Sequence, residues 1–256
     1  MPLLQIIGRR LAHYLSKPRE NTAQVATCTP ENLAATLKPG DVLLVEGNSG
    51  FSNAIKYLTQ SSWSHAALYI GNTLEPPPTG EAPKVLLEAD VNEGVRTLSL
   101  SEYAPMHTRI CRPVGLAPKD IEKVIEYALS RLGHHYDLKN IIDLARYLIQ
   151  TPPVPTYLRR RLLALGSGDP TRAICSSLIA QAFQSVRYPI LPQVISKKTN
   201  DRACMQCHEE ILRIRHHTLF TPRDFDVSPY FSIVKPTIAH GFDPHALNWD
   251  NPRYLR

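Results

Sequence analysis

Two stretches of this chain carry residue types that can act on one another. Ser64-His65-Ala66-Ala67-Leu68-Tyr69-Ile70-Gly71 offers an imidazole, and Ile174-Cys175-Ser176-Ser177-Leu178-Ile179, far downstream, offers a thiol. A cysteine attacks a carbonyl only as thiolate, so its pKa must fall from about 8.5, through a neighbouring imidazole or a helix N-terminus. A third residue type completes the set. Glu88 ends the apolar run Val85-Leu86-Leu87, where an ionised carboxylate is costly unless it is paired. Beside His65 it would fix the imidazole tautomer and free the other ring nitrogen for the thiol proton. Asp90 and Glu93, a little further on, are alternatives for that role.

Each residue also has a plainer reading. A histidine on a half-buried strand often does no more than satisfy a carbonyl. Cys175 shares a helical face with Leu178, Ile179 and Ala182, which is how an inert core thiol looks. Thr171 as a cap would put Cys175 in the first turns of its helix, whereas a start at Asp169-Pro170 would weaken the dipole argument.

The elements that must position these groups follow from the pattern. Thr29-Pro30-Glu31 opens a short helix that Lys38-Pro39-Gly40 closes, and Asp41 to Glu46 is an apolar strand. Ser52 to Gln60 spaces its apolar residues as a helix. In Trp63 to Ile70 alternation puts His65, Ala67 and Tyr69 on one face and Ala66, Leu68 and Ile70 on the other. Pro76-Pro77-Pro78 marks an exposed loop; Val85 to Ala89 and Gly94 to Leu98 read as paired strands around a turn at Asn92. Ser99-Leu100-Ser101-Glu102 has the form of a capping box, Thr108 to Arg112 is a strand, and Pro118 to Leu132 is a helix ended by Gly133. Leu138 to Ile149 and Tyr157 to Leu165 are further helices. Beyond Arg187 the chain reads as irregular apart from a strand at Tyr230 to Val234, and the tail from His240 lacks periodicity.

Composition bounds the partners. The 256 residues carry a formal charge of +6, which favours anionic partners, including an anionic membrane surface. The basic residues fall in short clusters, Arg159-Arg160-Arg161 and Lys197-Lys198, without interleaved aromatics, which argues against nucleic acid. Five unevenly spaced cysteines do not make a disulfide scaffold and suit a reducing compartment. The N-terminus has no small-residue cleavage site, so a cytoplasmic protein, peripheral to a membrane at most, is expected. Leu3, Leu4, Ile7, Leu11, Tyr14 and Leu15 recur at helical spacing, for packing on the domain or for an interfacial helix.

Taken together, LKPGDVLLVEG, SSWSHAALYIG, VLLEADVNEGV, GHHYDL and AICSSLIAQAF resemble the permuted branch of the NlpC-type papain-like cysteine hydrolases, the YiiX/YebB-like group, which is related to the lecithin:retinol acyltransferase fold. The resemblance implies an α+β fold in which an antiparallel sheet packs on the helix carrying the nucleophile. It implies a permuted order, with His65 and Glu88 first and Cys175 last. By motif, Cys175 would be the nucleophile, His65 the base, Glu88 the orienting acid, and Tyr136 in Gly133-His134-His135-Tyr136 would line the substrate site. Residues 29–235 would form this domain, after an amphipathic segment 1–28 and before a tail 236–256, with insertions near 148–172 and 193–217. The expected chemistry is hydrolysis of an amide or ester, or acyl transfer, through an acyl-enzyme, on a peptide, amide or lipid substrate and without a cofactor. Ile174 departs from the Tyr or Asp common before the nucleophile. The rival is a non-catalytic lipid- or peptide-binding protein on the same fold.

Cys204-Met205-Gln206-Cys207-His208 stands apart. It matches the c-type haem attachment pattern, but no export signal or distant axial ligand accompanies it. Zinc held with His216 or His217, a redox pair and an idle surface segment are the other readings. No metal site is assigned.

Overall fold

The structure is a computed structural model that describes residues 26, 28–90, 92–134, 174–198 and 208–246. Its frame is a six-stranded antiparallel sheet in the order β4-β3-β2-β1-β5-β8, from β1 (Val42–Val45), β2 (His65–Tyr69), β3 (Lys84–Asp90), β4 (Gly94–Ser99), β5 (Thr108–Pro113) and β8 (Phe231–Val234). This is the expected α+β architecture. β1 is apolar throughout because all four of its residues are buried, with layers on both faces. Val42 and Leu44 join one core with Ala66, Leu68 and Ile70, while Leu43 and Val45 join another with Ala67, Leu86 and Leu98. The alternation in the sequence thus assigned the two faces of β2 correctly.

The second face is covered by α1 (Pro30–Thr36), which starts where Thr29 accepts the Asn32 N–H at 3.3 Å. Gly40 follows at φ +88°, a conformation open to glycine, and donates its N–H to the Tyr69 carbonyl at 2.9 Å. Beside it the buried Asp41 takes a two-pronged bond from Arg112 on β5, at 2.8 and 2.7 Å, and the Lys38 N–H at 2.8 Å. An unpaired carboxylate at 1% exposure would be costly, and these donors remove that cost.

The first face is covered by α3 (Pro118–Leu129) and α4 (Ile174–Ser185). Leu178, Ile179, Ala182 and Phe183 of α4 are at most 1% exposed, each side chain of their size contributing about 1.5–3 kcal/mol for the larger ones. Phe183 packs edge-on against Phe231 at 5.2 Å, and α5 (Pro222–Asp226) adds Phe225 to the same aromatic cluster. Between β1 and β2 lies α2 (Gly50–Thr59), capped by Ser49. α3 ends at Leu129 and the chain turns through Gly133, whose N–H bonds the Val95 carbonyl at 2.9 Å. That bond brings the C-terminal end of α3 to β4.

Three local expectations change. Ser99 makes no capping bond; its hydroxyl pairs with Ser101, and Leu100–Glu102 is a single 3-10 turn. The stretch beyond Arg187 contains a hairpin of β6 (Gln193–Lys198) and β7 (His208–Arg213), paired from Gln193↔Arg213 to Lys198↔His208. The tail begins with α6 (Pro236–Ala239), after which the His240 ring meets the Thr36 hydroxyl at 3.0 Å. The expected N-terminal helix, the helices and basic cluster between 138 and 165, Tyr136, the Thr171 cap, Cys204 and Cys207 lie outside the described residues.

Candidate active site

His65 is the first residue of β2 and pairs with Val45 of β1. β2 and β3 are in register at Leu68↔Leu87 and Tyr69↔Leu86, so continuing one step sets Glu88 across from Ala67. His65, two residues along the same face, is then the diagonal neighbour of Glu88, and the small Ala67 leaves room for their side chains to meet. They do: His65 Nε2 donates to Glu88 Oε2 at 2.6 Å. The Tyr103 hydroxyl donates to the same oxygen, and Arg96 grips Oε1 with Nε and Nη2, both at 2.8 Å. Glu88 is 1% exposed and His65 about a quarter exposed at its side chain.

Cys175 is the second residue of α4 and 4% exposed. Its thiol and the His65 ring lie close enough to shift each other's ionisation, and its sulfur also meets the Ser176 hydroxyl at 3.8 Å. Since Nε2 is committed to Glu88, Nδ1 is the nitrogen left for sulfur. Burial by itself would push the Cys175 thiol up, yet His65, the Ala66 backbone N–H and the Ser176 hydroxyl bring it below its ordinary value. Burial would likewise pull His65 down, and Cys175 and Glu88 together hold it well above the usual imidazole range. Glu88 follows the same logic: burial opposes its charge, and His65, Tyr103 and Arg96 lower its carboxyl to about 2. Each neighbour thus favours the charged form of the next: thiolate for Cys175, imidazolium for His65 and carboxylate for Glu88.

The expected trio of Cys175, His65 and Glu88 therefore meets at one end of the sheet. The alternatives for Glu88 are used elsewhere: Asp90 accepts the Asn92 and Glu93 N–H groups in the hairpin turn, and Glu93 pairs with Arg96 at 2.9 Å. Sequence reasoning missed Arg96 and Tyr103. Arg96 could have been found, because a hairpin centred on Asn92 sets residues 88 and 96 opposite, as the Glu88↔Arg96 pair shows. Tyr103 reaches Glu88 through the turn after β4, for which the sequence holds no signal.

A second polar group lies at the same end of the sheet, on the β1–β5 side. Trp63 Nε1 and Arg109 both donate to Asp226, at 3.1 and 2.6 Å, and the Arg109 guanidinium lies over the Trp63 ring at 4.9 Å. His107 packs on Trp63 and pairs with Glu46 at 2.9 Å. Among the described residues no three His, Cys, Asp or Glu side chains are grouped to hold a metal ion. His216 and His217 instead stack on each other at 4.1 Å.

The chain is similar to known proteins over part of its length. The chain is 23% identical over 176 residues to the probable lipoprotein peptidase YaeF of Escherichia coli strain K12, an alignment covering 62% of this chain and 60% of that protein. The chain thus spans about 60% of the length of the curated relative it matches. The crystal structure of the metalloprotein yiiX from Escherichia coli O157:H7 aligns with a TM-score of 0.44 at 16% identity, covering 77% of this chain and 96% of that one. The family matched by sequence is described as permuted papain-like amidase enzymes, YaeF/YiiX, C92, and the match takes in His65, Glu88, Arg96 and Tyr103 but stops short of Cys175. Residues 36–147 are what this chain shares with the permuted papain-like amidase family, less than half of its length.

Proposed function

We propose that the chain is a thiol-dependent hydrolase of permuted papain-like fold that cleaves an amide bond, or transfers its acyl group, through an acyl-enzyme on Cys175. The observation that carries this reading is the row Cys175–His65–Glu88, with His65 bonded to Glu88 at 2.6 Å and Cys175 in the first turn of α4 beside the ring, an arrangement that favours the thiolate. In the first step the Cys175 thiolate attacks the carbonyl carbon, and the oxyanion is met by backbone N–H groups at the start of α4. The His65 imidazolium gives its Nδ1 proton to the leaving amine, which departs and leaves a thioester. Neutral His65 then draws a proton from water, the hydroxide adds, and the acid is released as sulfur leaves as thiolate. Glu88 holds the ring and offsets its charge while it is protonated.

A peptide substrate, including the peptide part of a lipoprotein, is favoured because the curated relative is described as a probable lipoprotein peptidase. The family resemblance implies a substrate-lining role for Tyr136. The charge of +6 suits a substrate presented at an anionic membrane surface, and no helix among the described residues is long and apolar enough to cross a membrane.

The test is incubation of purified protein with matched peptides and N-acylated lipopeptides, with products read by mass spectrometry against Cys175→Ala. Amide cleavage present in the native protein and absent in the variant supports the reading. Equal cleavage by both rejects it, and ester cleavage alone moves the substrate class to lipid acyl groups.

A further inference from the structure

Glu88 is held by more than the residue it serves. A carboxylate has about four acceptor positions. Here His65 uses one, the Tyr103 hydroxyl shares the same oxygen, and the two Arg96 nitrogens fill the other oxygen. We infer that Arg96 and Tyr103 are positioning residues that clamp Glu88 in one orientation and keep it ionised, so that His65 is presented to Cys175 by Nδ1 alone. This rests on the proposed role of the Cys175–His65 pair and assigns two side chains to it.

The geometry separates their tasks. Arg96 stands opposite Glu88 in the β3–β4 ladder, so its guanidinium reaches Oε1 from the neighbouring strand with two donors, Nε and Nη2, forked on that one oxygen. Those two bonds hold Oε1 towards β4 and leave Oε2 for His65 and Tyr103. Its remaining nitrogen, Nη1, is anchored by Glu93. Tyr103 comes from the 3-10 turn on the far side and is tilted against the His65 ring, centroids 5.7 Å apart, so it touches both members of the pair. The charged and titratable groups facing Glu88 are thus His65 from β2, Arg96 from β4 and Tyr103 from the turn, with Cys175 beyond His65 and Asp90 and Glu93 beyond Arg96. Of these, Arg96 alone is a cation at every working pH. Without it, a carboxylate at 1% exposure would share its proton with His65 instead of leaving the ring charged.

The test compares native protein with Arg96→Gln, Arg96→Lys and Tyr103→Phe, reading the Glu88 carboxyl titration by carbon NMR and the rate of Cys175 alkylation by iodoacetamide at neutral pH. Circular dichroism checks that each variant is folded. Arg96→Gln is expected to raise the Glu88 midpoint into or above the ordinary carboxylate range and to slow alkylation about tenfold or more. Arg96→Lys should restore part of both, since it keeps the charge and loses the fork. Tyr103→Phe should show a smaller loss in the same direction. Should Arg96→Gln unfold, Arg96→Lys and Tyr103→Phe carry the test. Folded variants with an unmoved Glu88 titration and an unchanged alkylation rate would overturn the inference. A native Cys175 no faster than Cys28 would instead reject the proposed chemistry, while the Glu88 titration would still report on the clamp.

Discussion

His65 and Glu88 meet diagonally across β2 and β3, over the space that Ala67 leaves between them. A larger residue at 67 should part them while leaving each in place. Ala67 is fully buried, so Ala67→Val should cost about 1–3 kcal/mol by overpacking. Among the molecules that remain folded, Cys175 should lose its enhanced reactivity. Thermal melting and alkylation kinetics on one preparation check both.

Glu88→Gln tests the charge itself. Every side chain around this carboxylate donates to it, so an amide NH2 turned towards Arg96 faces only N–H donors, and one turned towards His65 and Tyr103 forces the other imidazole tautomer or a turned hydroxyl. A stability loss of about 1–3 kcal/mol is expected, with turnover falling on the order of tenfold to a thousandfold as the imidazolium loses its partner. Denaturant unfolding and peptide hydrolysis measure the two effects separately.

Cys175 should be the fast thiol. Cys111 is fully buried and its thiol is pushed far up by burial and by Asp226, and burial also raises Cys28. Cys175 alone among the described cysteines is lowered. Its alkylation should reach a plateau at a lower pH than that of an ordinary thiol. His65→Ala should return the rising limb to the usual cysteine range or above it, because burial then acts unopposed. Peptide mapping of iodoacetamide-treated protein identifies the site.

The same pKa directions fix the pH dependence of stability. Glu88, lowered to about 2 from an ordinary 4.5, contributes stability that is complete above about 4.5 and is lost as pH falls towards 2. His65 is raised in the fold, so its contribution is complete below its ordinary value of 6.5 and is lost as pH rises through the higher native value. In Glu88→Gln the acid loss should shrink. A melting series over pH is the measurement.

Much of this site was legible because its chemistry sits on regular elements. The two-residue period of β2 assigns His65 to a face, and the isolation of Glu88 in an apolar strand demands a partner. Arg96 depends on hairpin register and Tyr103 on the path of a turn, relations that side-chain types alone do not encode. The β6–β7 hairpin was missed for a different reason: Ser196-Lys197-Lys198 and His208-Glu209-Glu210 interrupt the alternation that marks a half-buried strand. Asp41, by contrast, was read as the start of a strand, and its pairing with Arg112 appears only once β5 lies beside β1.

That pairing gives a control on the fold away from the thiol. Arg112→Ala leaves Asp41 charged and buried, and should cost about 3–5 kcal/mol. Replacing Asp41 by Asn together with Arg112→Ala should recover part of the loss, read by denaturant midpoints.

The central claim is an acyl-enzyme on Cys175, and the most direct measurement is the pre-steady-state reaction with a nitrophenyl ester of an N-acyl amino acid. A burst of nitrophenolate of about one equivalent, with the acyl mass mapped to Cys175 and both lost in Cys175→Ala, is the predicted result. A burst that persists in Cys175→Ala, or an acyl group mapped to another residue, would contradict the account.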